Sequence, residues 1–262
     1  MKWHHECAPQ WLEARKDVIT ATELIGLVPK WLKSIGAKKP KTDYVLELWA
    51  EKNSIQEPDT SSWDWAARGH CLEPYAVHDW NNHVGGCKMY HWDDIVIKNG
   101  PIGFSPDALD IISPLVDFPN EDNYSLVFDD GMLYGNHFAC PGPKKLLEIK
   151  SYAPKKHILK CLNKVDIDER WQVAVGMMVC DTIESGDLVF YNPSFLKCQM
   201  VSMTYTREQL SEEIEALKNT LDWYLDVTHR IEEEIGDGIG YESDYTEKQI
   251  WKESCMPDGF VV

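Results

Sequence analysis

The stretch that most constrains this chain is Lys144-Lys145-Leu146-Leu147-Glu148-Ile149-Lys150-Ser151-Tyr152, an apolar run that carries a carboxylate and an ammonium two residues apart. In a strand, side chains two apart project from the same face, so Glu148 and Lys150 stand together. A buried strand gains nothing structural from a glutamate and a lysine side by side. Two readings explain the pair. One is an exposed strand with a surface ion pair. The other is a hydrolytic site, in which the carboxylate holds a divalent metal and the lysine orients or activates the attacking water. Glu148-Ile149-Lys150 is the only acid-x-Lys triplet in the sequence, and the rest of the chain must decide between them.

The length, 262 residues, suits one large domain or a domain with substantial insertions. Hydrophobic residues make up 44% of the chain, with 11 tryptophans, which is enough to fill a sizeable core and argues against disorder. The net charge of −17 excludes a surface that coats nucleic acid non-specifically. It leaves room for a local basic channel, because distant charges are screened. Residues 207–262 alone hold 15 acids and 5 bases, so the tail carries more than half of the imbalance. The eight cysteines form no Cys-x-x-Cys pair, against a zinc ribbon or a thioredoxin-like site. Met1-Lys2-Trp3-His4-His5-Glu6 leads into no apolar run, so no leader peptide is expected, and no 18-residue apolar segment predicts a membrane helix. Reduced thiols and a cytoplasmic location are the default expectation.

Periodicity predicts a short helix at 9–16, a second helix after Thr20 or Thr22, and helices at 43–52 and 63–80. Residues 30–41 carry five lysines and no acid, a solvated loop or a DNA contact. Strands are predicted at 87–97, 102–112 and 145–152, with Pro154 ending the last. Residues 113–143 read as an inserted hairpin or loop, and 155–164 as a basic stretch. A helix at 169–180 and two more strands follow. Thr206-Arg207-Glu208-Gln209 is a capping box opening a long helix to about Ile235, with an apolar stripe through Leu210, Ile214, Leu217, Leu221, Tyr224, Ile231 and Ile235. The predicted class is α/β (α+β): a mixed central β-sheet flanked by helices, with a long C-terminal helix. Residues 1–206 make the main domain with its insertion at about 113–143, and 207–262 form a helix and acidic tail packed on it.

Three acids line up with the lysine. Glu73 lies on the helix before the sheet, Asp107 follows Ser105-Pro106 on the second strand, and Glu148 and Lys150 lie on the third. Neighbouring strands lie ~5 Å apart, so Asp107 and Glu148 can share a metal. Oxygen-only ligation favours Mg²⁺ or Mn²⁺ over zinc, and two such ions would clamp the attacking and leaving oxygens of a phosphodiester. Singly, each residue has a bland alternative: a surface glutamate, a turn aspartate, a satisfied core amide for Gln172, a surface ion pair for Arg15.

Pro106-Asp107 followed by Glu148-Ile149-Lys150 resembles the PD-(D/E)xK nuclease signature. Further blocks occur in order: Trp11-Leu12-Glu13-Ala14-Arg15 with Ile19-Thr20-Ala21-Thr22, then Arg68-Gly69-His70-Cys71-Leu72-Glu73, Gly103-Phe104-Ser105-Pro106-Asp107, Leu147-Glu148-Ile149-Lys150, and Trp171-Gln172. Together they resemble the lambda-exonuclease-like, YqaJ-type viral recombinase family over residues 11 to about 191. That resemblance implies a Mg²⁺-dependent exonuclease that digests linear duplex DNA from the 5′ end, leaving a 3′ single strand for phage-type recombination. It implies Asp107, Glu148 and the Ile149 carbonyl as metal ligands, Glu73 at a second metal, and Lys150 on the water. Gln172 would orient the site or the scissile phosphate; Arg15, Thr22 and Ser105 would hold the 5′-phosphate. It also implies a homotrimeric ring and a single-strand-annealing partner. The chain departs from the family in the 40 residues between Asp107 and Glu148, in Thr22 where the family has serine, and in Trp171 where it has tyrosine. A RecB-like or structure-selective endonuclease, or a non-catalytic DNA-binding module on the same core, are the alternatives.

Overall fold

The computed structural model describes residues 14–15, 17–28, 45, 63–91, 95–111, 125–135, 139–162, 169–195 and 198–235. The predicted helices at 9–16 and 43–52, the lysine loop at 30–41, the first part of the insertion and the acidic tail beyond 235 lie wholly or mostly outside them.

In chain order the elements are β1 (Ile19–Thr20), α1 (Ala21–Leu27), α2 (Trp63–His83), β2 (Tyr90–His91), β3 (Val96–Asn99), β4 (Ile102–Phe104), β5 (Ala108–Leu109), β6 (Ser125–Asp129), β7 (Met132–Tyr134) and β8 (Ala139–Pro141). There follow β9 (Lys145–Lys150), α3 (Pro154–Leu162), α4 (Arg170–Val179), β10 (Ser185–Tyr191), β11 (Met200–Thr206) and α5 (Ser211–Ile235). They form two mixed sheets, one ordered β1-β4-β3-β6-β7-β8 and the other β11-β10-β9-β5-β2. The class is the predicted mixed α/β with a long C-terminal helix, but the sheet is split in two.

The split explains where the sequence reading and the structure differ. The continuous strand expected at 102–112 is β4 and β5, one in each sheet, separated by Ser105-Pro106-Asp107. Pro106 has no N–H to give a ladder, so pairing stops there and the chain changes sheets. The strand expected at 87–97 divides likewise into β2 and β3. The insertion supplies a β6–β7 hairpin, turned by Asp130 and Gly131 at positive φ, plus β8, and so extends the six-stranded sheet. The basic stretch after Pro154 is a helix, α3. Proline suits its first position, where an N–H would go unused anyway.

Both faces of β9 are buried, which is why it reads as an apolar run. Leu147 and Ile149 join Leu72, Ala76, Val77 and Trp80 of α2 in one core. Leu146, on the opposite face, joins a larger core with α1, α4 and α5. Helix α4 is apolar all round because it is covered on all sides, with Trp171, Val173, Val175, Met177 and Val179 buried. It approaches β9 at Gly176, where a Cβ would fall 2.5 Å from Leu146 Cδ2 and 3.1 Å from the Phe104 ring. We expect Gly176→Ala to cost ~1–3 kcal/mol of stability through overpacking. Urea denaturation checks this; an unchanged midpoint would show that Leu146 yields freely.

Two polar devices lock α4 in place. Arg207 donates to the carbonyls of Met177 (2.8 Å), Cys180 (3.0 Å) and Ile183 (2.7 Å), closing the last turn of α4 and the loop after it. Arg170 pairs with the buried Glu213 of α5 at 2.6 Å. The capping box forms as read, with the Thr206 N–H donating to Gln209 Oε1 and the Gln209 N–H to Thr206 Oγ1. The apolar stripe is buried from Leu210, in the turn before α5, to Tyr224 and then runs out, since Ile235 is exposed.

Candidate active site

Residue spacing puts Glu148 and Lys150 on one face of β9, and the structure closes the pair: Lys150 Nζ donates to Glu148 Oε1. Glu148 is buried at 7% exposure, so the surface ion pair of the bland reading is not what forms. Strand β5 runs antiparallel to β9 with Ala108 opposite Leu147. One residue further along that register, Asp107 lies across from Glu148. Asp107 Oδ2 accepts the Ile149 N–H at 2.6 Å, which fixes its carboxylate against the neighbouring strand. Its carbonyl oxygen lies 2.8 Å from His91 Nδ1. A carbonyl only accepts, so that nitrogen carries the proton.

Glu73 arrives from α2, whose Leu72, Ala76 and Val77 anchor it to the sheet. Its side chain is 12% exposed and lies 3.4 Å from His70 Nδ1. Glu73, Asp107, Glu148 and Lys150 are close enough to act on one another electrostatically. Burial, then repulsion from Glu148 and Glu73, pushes the Asp107 carboxyl well above the usual range, against Lys150 and the Ile149 N–H. Burial also raises Glu148; Lys150 opposes the rise and Glu73 adds to it. Burial by itself would lower Lys150, but the three carboxylates outweigh it and hold its ammonium charged.

Three carboxylates facing one ammonium leave negative charge that a divalent cation would neutralise. Asp107 Oδ1 and Glu148 Oε2 carry no hydrogen bond among the described residues, and the donors are all oxygen, which suits Mg²⁺ or Mn²⁺. Among the described residues, however, no group of three or more His, Cys, Asp or Glu is gathered tightly enough to enclose a metal by itself. The fit is therefore that of two facing carboxylates with Glu73 nearby.

The other sequence candidates lie around this cluster. Ile149, whose carbonyl the resemblance implies as a ligand, donates its N–H to Asp107 Oδ2. Gln172 is half-buried in the first turn of α4, and no side-chain hydrogen bond joins it to the acids among the described residues. Strands β1 and β4 are parallel, with Thr20 opposite Gly103, so Thr22 and Ser105 follow at the same end of the pair. Arg15 lies on the other side of β1, where its carbonyl accepts the Val18 N–H at 3.4 Å.

Two contributors went unread in the sequence. His91 is one: only the β2–β5 pairing brings it to Asp107. The other is a network just past β9. The Tyr152 hydroxyl donates to Glu169 Oε1, and Lys160 Nζ donates to Glu169 Oε2 at 2.9 Å. Lys156 Nζ stands 3.7 Å from the centre of the Tyr152 ring, which also stacks on Phe190. The network fastens α3 to the end of β9. Tyr152 precedes α3, Lys160 lies on it and Glu169 comes after it, so no local motif would have shown it.

Known structures resemble this chain in fold. An alkaline exonuclease (LHK-Exo) from Laribacter hongkongensis aligns over 86% of this chain and 96% of its own at 16% identity, with a TM-score of 0.57. LHK-Exo in complex with dAMP aligns over 86% and 98% at 16% identity, with a TM-score of 0.53. A phage-related exonuclease from Haemophilus somnus 129PT aligns over 82% and 96% at 10% identity, with a TM-score of 0.48. No protein-family model matches the chain, and no curated protein does. At such identities the likeness is one of fold: the chain has the fold of the alkaline exonuclease LHK-Exo.

Proposed function

We propose that the chain is a Mg²⁺- or Mn²⁺-dependent deoxyribonuclease that digests linear duplex DNA from the 5′ end and leaves a 3′ single-stranded overhang. The observation that carries the reading is the placement of Asp107 across from Glu148, beside Glu73, with Lys150 bonded to Glu148. The likeness in fold to an alkaline exonuclease, one structure of which holds dAMP, supports it.

Asp107 and Glu148 would hold the cation, with Glu73 and the Ile149 carbonyl completing one or two sites. When bound, the cation supplies neutralisation of charge on the phosphodiester oxygens. Lys150 has three donors and one is engaged by Glu148, so the others are available to hold the attacking water. Gln172 is assigned to the scissile phosphate, and Arg15, Thr22 and Ser105 to the terminal 5′-phosphate, where a guanidinium fork matches phosphate oxygens. Lys144 and Lys156 would contact the backbone, which makes binding weaken with salt. A trimeric ring around DNA, a single-strand-annealing partner, a role in phage-type recombination and a cytoplasmic setting belong to the same proposal. Among the described residues no helix is long and apolar enough to cross a membrane.

One gel assay tests the reading. With Mg²⁺, 5′-phosphorylated linear duplex should be converted to single strands, 5′-hydroxyl duplex more slowly, and covalently closed circles not at all; EDTA should stop the reaction. Cutting of closed circles would replace the exonuclease by an endonuclease. No digestion in either Mg²⁺ or Mn²⁺ would sink the enzyme.

A further inference from the structure

Helix α2 carries a second group near the site, to which the resemblance assigns no role. Arg68 is half-buried, and its Nη1 donates to the carbonyl of Ser151, the residue after Lys150, over a long 3.3 Å. Its other N–H donors have no partner among the described residues. No carboxylate among the described residues pairs with it. Four other internal cations sit against one: Lys145 on Asp187, Lys150 on Glu148, Lys160 on Glu169, Arg170 on Glu213; Arg207 has backbone carbonyls instead, but three of them. Beside Arg68 is a second unsatisfied group, the Ser151 hydroxyl, which is buried and without a hydrogen-bond partner. A half-buried guanidinium and a buried hydroxyl left open at one point are costly, unless a ligand supplies the missing acceptor.

We infer that Arg68, with Ser151 beside it, holds the phosphodiester that flanks the scissile one on the digested strand. The inference rests on the nuclease reading above and adds a substrate contact to it. The chemistry selects the ligand. A planar fork of charged donors beside a hydroxyl matches the oxygens of a singly charged phosphodiester, which is acceptor only. Position selects the flanking phosphate. Ser151 follows Lys150 directly, so Arg68 reaches the end of the catalytic strand. It nevertheless stands apart from the acids: the charges acting on Asp107 are those of Glu148, Glu73 and Lys150, those acting on Glu148 are Lys150 and Glu73, and Arg68 is in neither set. Because Arg68 and Glu73 share α2, a phosphate held by one sets the strand's path past the other.

The test uses the whole chain and a 5′-phosphorylated linear duplex. One methylphosphonate replaces the phosphodiester on either side of the first cleaved bond, giving an uncharged linkage at a known place. Wild type should be slowed roughly 10-fold by the neutral linkage on one side. Arg68→Gln should be slowed by a similar factor on the ordinary duplex, and not further by the neutral linkage. Arg68→Lys, which keeps the charge but not the fork, should recover part of the loss. Melting temperatures of the variants, with and without Mg²⁺, should stay near wild type, which separates a substrate contact from a mere clamp on Ser151. The inference is overturned if Arg68→Gln digests ordinary duplex at the wild-type rate, or if the neutral linkage slows it as much as it slows wild type. If wild type itself leaves the ordinary duplex intact, the nuclease reading falls and this one with it.

Discussion

Replacing Lys150 by methionine should reduce digestion of 5′-phosphorylated duplex by about 10³-fold in single turnover, with Mg²⁺ saturating. The cause lies in what the ammonium touches. It donates to Glu148 and is held charged by three carboxylates, so it is both the site's only neutralising group among those four and its only donor toward a water. Methionine fills the same space without either property. It also removes the partner that keeps Glu148 ionised, so Glu148 should take a proton more readily and bind the cation more weakly. Glu148→Gln should lose activity to a similar degree while keeping its volume. Single-turnover rates and Mg²⁺ titration calorimetry read both effects. Wild-type rates in either variant would remove the pair from the chemistry.

The second large effect couples activity to stability in opposite directions. Asp107→Asn should abolish digestion, by ~10²-fold or more, and yet raise the melting temperature at neutral pH. Burial and the neighbouring carboxylates hold the folded state's Asp107 pKa well above the ordinary value. From the ordinary range near ~4 up to that raised value, the folded state binds more protons than the unfolded one. Stability therefore falls as pH rises through this window and stays lower above it. Asparagine removes the charge but keeps an oxygen for the Ile149 N–H, now at 2.6 Å. The gain should vanish below the ordinary carboxylate range, where aspartic acid is neutral in both states. Mg²⁺ should raise the wild-type melting temperature and affect the variant far less. A pH series of thermal melts decides it: a variant that melts below wild type at pH 7 would mean that Asp107 does not sit under electrostatic strain.

Much of the candidate site could be read before the fold was known, because its residues are marked by short-range spacing. Glu148 and Lys150 are two apart on a strand, and two-residue spacing gives one face whatever the surroundings. Asp107 follows a proline, and the same proline separates β4 from β5. The capping box at Thr206 and Gln209 is local for the same reason, since both hydrogen bonds close within one turn. Harder to read were elements whose periodicity competes with something remote. The 87–97 and 102–112 runs look continuous because apolar residues alternate through them, yet each is shared between two sheets. The lysines after Pro154 read only as a basic stretch because their charge hides the buried His157 that anchors α3.

The amino-acid sequence by itself determined the chemistry that can occur here: the carboxylates, the lysine, the strand that pairs them and the mixed α/β class that carries it. Those follow from residue type and short-range spacing. Only the tertiary structure decided that Glu148 is buried against Lys150 rather than exposed, and that Asp107 faces it across β5 and β9. It alone brought in His91, Arg68 and the Tyr152–Glu169–Lys160 network. Strand register, helix docking and burial arise from contacts between residues far apart in the chain, and it is these that turn a pair of charges, able equally to make a surface salt bridge, into a strained site suited to a divalent cation.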